Sequence, residues 1–184
     1  FVKSRPDAPA GFFEVEAAGL RWLAVPGGVP VAEPLDVSPT QLTITRLDSA
    51  PPTESDAEDF GRRLAVTHDA GARYFGVPPD GWSTDGYIGP IALPHALAPM
   101  TAWGEFYANL RLRPYMRAAY NAGTIDGHQL ELFERVCTRL EDGVYDDPSD
   151  EPSRIHGDLW SGNVVWAAGG VHLVDPAAHG GHRE

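Results

Sequence analysis

Cysteine and long apolar segments are both scarce in this sequence of 184 residues. Cys137 is the only cysteine, which excludes an internal disulfide framework and a zinc site built on cysteines. No apolar run approaches the roughly 20 residues of a membrane-spanning helix, and no charged start followed by an apolar stretch indicates a signal peptide. These absences predict a soluble, cytoplasmic protein without a membrane partner, in which Cys137 is buried.

The sequence also has few basic residues. Fourteen basic residues stand against 26 acidic ones, so the net charge is −12. A field of this sign opposes binding to nucleic acids and to anionic membranes. We therefore expect no nucleic-acid partner, and a bound nucleotide would need backbone amides, a local cation or a metal ion.

The spacing of apolar residues predicts four helices and several short strands. The helices are predicted over residues 11–25, 58–68, 101–120 and 126–142, and the strands over residues 1–3, 30–35, 41–47, 164–166 and 171–174. Pro114 should kink or split the third helix. The last two strands should form a hairpin, and residues 74–99, which are crowded with Gly and Pro, are predicted to be a loop.

Two of these helices have a clear apolar face. In the first helix it consists of Phe13, Ala17, Leu20 and Ala24. In the fourth it consists of Leu130, Phe133, Val136 or Cys137, and Leu140, and Gly143 is placed to cap the end of that helix. Both faces are predicted to be buried in the core.

The order of the elements predicts an α+β fold with two lobes. Residues 1–47 would form a small, β-rich lobe and residues 48–184 a mostly helical one, with a hinge in the Pro-rich stretch 48–54. The chain begins in a strand pattern and ends in a Gly-rich turn. We therefore expect a fragment that lacks sequence at both ends.

A short polar segment carries the strongest chemical signal. It contains His156-Gly157-Asp158, with Asn163 five residues after the aspartate, and the predicted hairpin that follows ends at Asp175. Because the two ends of a hairpin meet at its base, Asn163 and Asp175 should lie close together. Phosphoryl transfer from MgATP needs a carboxylate that orients the attacking hydroxyl, and oxygen ligands for Mg²⁺. Asp158 suits the first role and the other two residues suit the second.

Lys3 is the only lysine of the chain, beside 13 arginines. A planar guanidinium cannot replace a compact ammonium that reaches the α- and β-phosphates of a nucleotide. Such a lysine needs a carboxylate, and Glu16, at the margin of the buried face of the first helix, is the candidate; Glu14 should point elsewhere. Taken alone, the two residues suit an exposed surface, but together with Asp158 they favour a phosphate site.

Motifs along the whole chain resemble a known family. They lie at residues 1–3 (Phe-Val-Lys), 13–20 (Phe-Glu-Val-Glu-Ala-Ala-Gly-Leu), 87–89 (Tyr-Ile-Gly), 111–114 (Arg-Leu-Arg-Pro), 156–163 (His-Gly-Asp-Leu-Trp-Ser-Gly-Asn), 174–177 (Val-Asp-Pro-Ala) and 181–184 (Gly-His-Arg-Glu). This set resembles the fructosamine (ketosamine) kinase family, within the group of aminoglycoside and choline kinase-like enzymes. The Leu-Trp-Ser-Gly between Asp158 and Asn163 resembles this family in particular.

The resemblance implies a protein-kinase-like fold of two lobes and the use of ATP and Mg²⁺. The reaction would be phosphorylation of a sugar hydroxyl on a ketoamine, the adduct left when a reducing sugar glycates an amine. The substrate would be a small ketoamine or a glycated protein, and the role would be repair of glycated amines. The family also has a Gly-rich strand hairpin before the position of Phe1 and helices after Glu184.

The resemblance implies roles for individual residues as well. Lys3 would bind phosphate with support from Glu16, Asp158 would be the catalytic aspartate, and Asn163 and Asp175 would hold the metal.

Three further residues receive roles in the same way. Backbone atoms near Arg46 and Leu47 would contact the adenine, although members often carry Glu where Arg46 stands. His156 would brace the catalytic loop. Trp160 would line the sugar pocket or merely pack.

Three other functions stay open from the sequence. The first is a kinase for an aminoglycoside, a choline-like compound or another small alcohol. The second is a nucleotide-binding module without catalysis. The third is a metal-dependent hydrolase built on His156, Asp175, His179 and His182.

Overall fold

The computed structural model describes residues 1–183, which combine α-helices with short antiparallel strands. The helices are α1 (Phe12–Leu23), α2 (Glu54–Asp69), α3 (Trp103–Phe106), α4 (Arg113–Asn121) and α5 (Gly127–Glu141), with a π-helical segment at Tyr107–Leu112 and a 3₁₀ turn at Ser161–Asn163. The strands are β1 (Val2–Ser4), β2 (Pro34–Ser38), β3 (Gln41–Ile44), β4 (Gly86–Ile88), β5 (Ile91–Leu93), β6 (Ser153–Ile155), β7 (Val164–Ala167), β8 (Gly170–Leu173) and β9 (His179–Gly181). In this part of the chain no helix is long and apolar enough to cross a membrane.

The first sheet and α1 form one packed unit. The strands are antiparallel in the order β1-β3-β2, and Lys3 on β1 stands opposite Leu42 on β3. Helix α1 packs on this sheet through a stripe that includes Phe13 and Leu20, and the shared core contains Leu42 and Ile44. Because α1 is packed on the sheet through this stripe, the orientation of its other side chains is fixed as well.

Two antiparallel strand pairs carry the polar segment found in the sequence. Strands β7 and β8 form a hairpin, with Val164 opposite Leu173, and strands β6 and β9 pair with Ile155 opposite His179. Leu173 also exchanges backbone hydrogen bonds with Pro30 and Ala32. The hairpin is thereby tied to the chain that enters the first sheet.

The helical part from α3 to α5 has a core of its own. It contains Ala108, Met116, Cys137 and Leu140, contributed by the π-helical segment, α4 and α5. Helix α5 begins with a capping box between Asp126 and Gln129, which satisfies backbone donors at its start. It ends at a left-handed Gly143, as the sequence predicted.

Several sequence predictions need correction at the ends of elements. Ala24 is exposed because α1 ends at Leu23. The strand predicted over residues 30–35 begins only at Pro34, and the one predicted over residues 41–47 ends at Ile44, which leaves Arg46 exposed. Helix α2 starts four residues earlier than predicted because Thr53 forms a capping box with Asp56.

Two predicted regions have a different local structure. Residues 74–99 contain the hairpin of β4 and β5, which their Gly and Pro content concealed. The third helix is split near Pro114, as predicted, but through a π-helical segment in which the Arg113 N–H donates to the Ala108 carbonyl. Pro114 has no N–H to offer the Leu110 carbonyl, and Arg111 Nη1 binds that carbonyl instead at 2.8 Å.

The predicted core face of α5 is only partly buried. Cys137 and Leu140 are buried, whereas Phe133 is 39% exposed and Val136 is 40% exposed. The prediction of a fully buried stripe was therefore wrong for this helix, because its neighbours in the described residues cover only one side of the apolar face.

Candidate active site

The backbone of the His156–Asp158 segment is fixed by its contact with residues after β8. The Ala177 N–H donates to the His156 carbonyl at 2.9 Å. Gly157 has φ of 79°, and a Cβ at this position would overlap the Ala177 carbonyl. Only glycine tolerates both the left-handed backbone and this close approach.

His156 braces this segment with both ring nitrogens. Its Nε2 lies 2.9 Å from the Val174 carbonyl, and its Nδ1 lies 3.3 Å from the backbone nitrogen of Asp158. A carbonyl only accepts and an amide N–H only donates, so the ring is neutral with its proton on Nε2. Burial lowers the pKa of His156, which favours the same neutral form.

Asn163 orients the carboxylate of Asp158. The amide nitrogen Nδ2 donates to the Asp158 carbonyl at 2.8 Å and to Asp158 Oδ2 at 3.0 Å. Asn163 ends the 3₁₀ turn and is only 6% exposed. Because Nδ2 is engaged in this way, the side-chain oxygen is the atom that suits a metal ion.

Lys3 lies between two carboxylates. Its Nζ is 2.6 Å from Glu16 Oε1 and 2.6 Å from Asp175 Oδ1. Burial alone would lower the pKa of Lys3, but the two carboxylates raise it above its usual value. Burial raises the pKa of Glu16, and Lys3 offsets this only in part. Glu14, as expected, points to a different cavity.

Asp175 has an unusual backbone conformation. Its φ is 54°, and no other non-glycine residue among residues 1–183 has a positive φ. The left-handed region costs an ordinary residue about 1–2 kcal/mol. Asp175 directly follows Val174, whose carbonyl anchors His156. Backbone strain of this kind is common where a side chain must be held for a function.

A cavity of about 500 Å³ lies beside the first sheet, and we call it the nucleotide-side cavity. Its apolar lining includes Ile44, Leu47, Val165 and Val174. Arg46 also lines it, and within residues 1–183 the backbone groups of Arg46 and Leu47 bond to no other backbone group. Such a surface can take a flat aromatic base against apolar walls and offer it backbone hydrogen bonds.

A second cavity, of about 290 Å³, contains the predicted catalytic residues, and we call it the catalytic cavity. Asp158, Asn163, Trp160 and Glu16 line it. Lys3 and Asp175 line both this cavity and the nucleotide-side cavity. The ammonium and the carboxylate therefore stand where the two cavities meet.

The residues at this junction fit a nucleotide with Mg²⁺. Asp158, Glu16 and Asp175 contribute three carboxylates, against one ammonium from Lys3. Triphosphate oxygens would add to this negative charge, and Mg²⁺ takes the carboxylate and amide oxygens that Asp175 and Asn163 present.

Trp160 both packs and lines the catalytic cavity. It is 60% exposed, and its indole ring lies over Gly162, where a Cβ would overlap the ring. The neighbouring glycine thus makes room for a flat ring at the cavity mouth. The structure places Trp160 at the catalytic cavity, and its contact with a sugar stays a prediction.

The hydrolase hypothesis fails on geometry. Both nitrogens of His156 bond to the backbone, and His179 is buried with Nδ1 on the Ala177 carbonyl and Nε2 near Arg111. Among the residues that the structure describes, no group of three His, Cys, Asp or Glu side chains could hold a metal ion. A zinc site on these histidines is thereby contradicted.

Sequence reasoning missed a third cavity. It has a volume of about 400 Å³, and we call it the aromatic cavity because Trp103, Phe106, Tyr107 and Tyr115 line it together with Arg111. The only signal in the sequence was the Arg-Leu-Arg-Pro motif at residues 111–114, to which no role was given. The other residues that line this cavity include Ile88 and Leu93 of the β4–β5 hairpin and His179 of β9, which lie outside that motif in the sequence.

Comparison with known proteins places these features in a family. A family model described as fructosamine kinase matches residues 1–184. A protein named probable ketoamine kinase from Thermus thermophilus is 30% identical over 99% of this chain and 62% of its own length. The Arabidopsis thaliana protein named protein-ribulosamine 3-kinase, chloroplastic, is 30% identical over 100% of this chain and 56% of its own.

Solved structures agree with these matches. A crystal structure from Thermobifida fusca, of a protein with the provisional name fructosamine-3-kinase, has a TM-score of 0.87 and 45% identity, covering 100% of this chain and 62% of that one. A second structure, from Haemophilus somnus, has a TM-score of 0.78 at 22% identity, which shows a shared fold. The chain spans about three fifths of the length of the curated relatives it matches.

Proposed function

The chain belongs to the fructosamine kinase family, and on this premise we propose that the protein transfers the γ-phosphoryl group of ATP to a sugar hydroxyl of a ketoamine. The observation that carries the proposal is the position of Lys3 and Asp175 at the junction of two cavities, one with apolar walls for a base and one with Asp158. Curated relatives with names of ketoamine and ribulosamine kinases support the acceptor class.

We assign the roles by geometry. Asp158, oriented by Asn163 at 3.0 Å, accepts the proton of the attacking hydroxyl. Lys3, held by Glu16 at 2.6 Å, binds phosphate oxygens. Asp175 and Asn163 would hold Mg²⁺, which would neutralise the negative charge that develops on the phosphates during transfer.

The other residues position these groups. His156 holds the backbone at Asp158 in place through its bond to the Val174 carbonyl. Backbone groups at Arg46 and Leu47 bind the adenine, so the exposed side chain of Arg46 is free to vary. Trp160 covers the sugar at the mouth of the catalytic cavity.

The same proposal includes the architecture. Residues 1–47 belong to the smaller lobe and residues 48–184 to the larger one of a protein-kinase-like fold. The described elements fit this division, since the first sheet and α1 share one core and helices α3 to α5 have another. We also propose that the enzyme is cytoplasmic and repairs glycated amines or proteins.

The decisive experiment uses the full-length protein with MgATP and either fructose-lysine or ribulose-lysine. We expect phosphate transfer to the sugar, with the phosphorylated hydroxyl identified by NMR, and loss of transfer when Mg²⁺ is chelated. Transfer only to aminoglycosides or choline-like alcohols would contradict the acceptor class. ATP binding without transfer to any acceptor would show a non-catalytic module.

The Asp158→Asn substitution tests the catalytic assignment. Because it removes a positioned proton acceptor, turnover should fall by about 10²- to 10⁴-fold, while ATP binding is retained. Asp36→Asn, at an exposed position on β2, is the matched control and should leave turnover unchanged. Equal turnover by Asp158→Asn and the wild type would exclude this role for Asp158.

A further inference from the structure

Arg111 and Arg113 lie two residues apart but have opposite surroundings. Arg113 pairs with Glu134 at 2.9 Å and also with Glu141, and these carboxylates raise its pKa. Arg111 forms no ion pair with a carboxylate anywhere in residues 1–183, although the whole chain has 26 acidic residues. The contrast sets Arg111 apart from the structural arginines of the protein.

The guanidinium of Arg111 is held only by uncharged groups. Its Nη1 donates to the carbonyls of Pro94 at 2.7 Å and Leu110 at 2.8 Å, and its Nε donates to His179 Nε2 at 3.4 Å. Among the described residues, Nη2 is buried and has no hydrogen-bond partner. The side chain is thus fixed in place while its charge stays uncompensated.

The surroundings of Arg111 are apolar, and the nearest acidic group acts on it without forming an ion pair. Its guanidinium lies 4.8 Å from the centre of the Phe106 ring, and burial lowers its pKa to about 10. The titratable groups that face it are those of Tyr107, Tyr115, His95, His179 and Asp85, and of these only Asp85 is acidic. A buried charge without a counterion is costly, and an entering anion would offset that cost.

The aromatic cavity is a neighbour of the catalytic cavity. Ile88, at the end of β4, lines both of them, and Gly157, which lines the aromatic cavity, directly precedes Asp158. A ligand whose sugar lies against Asp158 can therefore extend past Ile88. The aromatic cavity, at about 400 Å³, falls within the usual size range of small-ligand pockets.

We propose that the aromatic cavity binds the amine-bearing part of the ketoamine, and that Arg111 there binds a carboxylate of that part. The inference rests on the proposed function and makes it narrower. The favoured substrates are ketoamines of free amino acids, which carry a carboxylate, with their side chains against Trp103 and Tyr107. A glycated lysine within a protein lacks such a carboxylate. Nη2, the nitrogen of Arg111 that has no partner among the described residues, would donate a charge-assisted hydrogen bond to that carboxylate.

Matched pairs of substrates test this selectivity in the full-length protein. Each pair consists of the ketoamine of an amino acid and the ketoamine of the corresponding amino-acid amide, which differ only in the carboxylate. One pair carries the sugar on the α-amine of glycine and the other on the ε-amine of lysine. We expect kcat/KM for the carboxylate member to be higher by about 10- to 100-fold in at least one pair, as for a hydrogen bond to a charged group.

Substitutions at the cavity assign the selectivity to Arg111. Arg111→Met should abolish the preference within the pair, mainly through a higher KM for the carboxylate member. Arg111→Lys keeps the positive charge and should retain part of the preference. Tyr107→Ala should raise KM for both members. Tyr120→Ala removes an exposed tyrosine on α4 outside the cavity and should change neither value.

The outcomes separate this inference from the proposed function. If the wild type phosphorylates both members of each pair with equal kcat/KM, the ketoamine kinase stands and the carboxylate subsite is wrong. The subsite is also wrong if the preference persists in Arg111→Met. If no ketoamine is phosphorylated at all, the proposed function fails and this inference fails with it. If Arg111→Met does not fold, Arg111→Lys decides, because an undiminished preference in that variant would exclude Arg111 as its cause.

Discussion

The segment around Asp158 and helix α5 are stabilised in opposite ways. Gly157 and His156 are placed by contacts with Val174 and Ala177, which lie close to 20 residues further along the chain. Helix α5 is delimited by local signals, a capping box at its start and Gly143 at its end. Part of its apolar face, including Phe133 and Val136, has no cover among residues 1–183.

The comparison shows where the structure tolerates change. A backbone fixed by close tertiary contact leaves no space for an added atom. A substitution there must therefore also displace the distant segment that it contacts. A helix fixed by capping loses only the contribution of the cap when the cap is removed. Three measurements of the free energy of unfolding in the full-length protein test this contrast.

The largest effect is expected from Gly157→Ala. The new Cβ would overlap the Ala177 carbonyl, and φ of 79° is unfavourable for alanine, so we expect a loss of about 3–5 kcal/mol. The matched control is Gly127→Ala in the first turn of α5, where a Cβ meets no atom within 4 Å. It should be neutral or stabilising by up to about 1 kcal/mol. Urea titration of both variants measures the difference, and equal losses would refute the contrast.

A smaller effect is expected from acid. Burial lowers the pKa of His156, His95 and His179, so the unfolded chain takes up protons near pH 6.5 before the folded protein does. The contribution of these histidines to the free energy of unfolding is fully present above about pH 6.5. It is lost as the pH falls from there toward their pKa values in the folded protein. Each histidine contributes at most about 1.4 kcal/mol per pH unit.

The His156→Asn variant isolates one of these contributions. Unfolding measured between pH 7.5 and 5 should depend less steeply on pH than in the wild type. The exposed substitution Val136→Ala on α5 adds no titrating group, so it should leave the slope as it is. If the stability of His156→Asn depended more steeply on acid than that of the wild type, the pKa of His156 would not be lowered in the folded protein.

The smallest effect is expected at the start of α5. Asp126→Ala removes the side-chain acceptor that lies 2.8 Å from the Gln129 N–H, and the loss of an N-cap typically costs about 1 kcal/mol. Asp126→Asn keeps an acceptor there and should recover most of the loss. Kinase turnover should stay unchanged in both variants. A loss above about 3 kcal/mol would show that α5 depends on more than local signals.

Sequence reasoning succeeded where a short stretch of chain carries the whole signal. The hairpin of β7 and β8 and the extent of α5 follow from local patterns, and both are confirmed. The family is confirmed as well. The Lys3–Glu16 pair was predicted because one lysine in an apolar strand needs a nearby carboxylate, and the structure contains that ion pair. The catalytic roles themselves stay predictions.

Sequence reasoning failed where distant parts of the chain decide the environment. The exposure of Phe133 depends on what packs against α5, and periodicity does not report this. The hairpin of β4 and β5 lies in a stretch whose Gly and Pro content indicates loop. Arg111 could not be recognised because its distinction from Arg113 is the lack of a carboxylate partner, which appears only in three dimensions.

The π-helical segment Tyr107–Leu112 has a consequence for insertions and deletions. A π-helical turn holds one residue more than an α-helical turn, so it behaves as a tolerated single-residue insertion. Deleting one residue there would restore α-helical pairing and rotate the preceding side chains by about 100° relative to α4. Trp103 and Phe106 would then be turned away from their present positions beside Arg111 in the aromatic cavity. In this segment the number of residues is as much a determinant of the site as their identity.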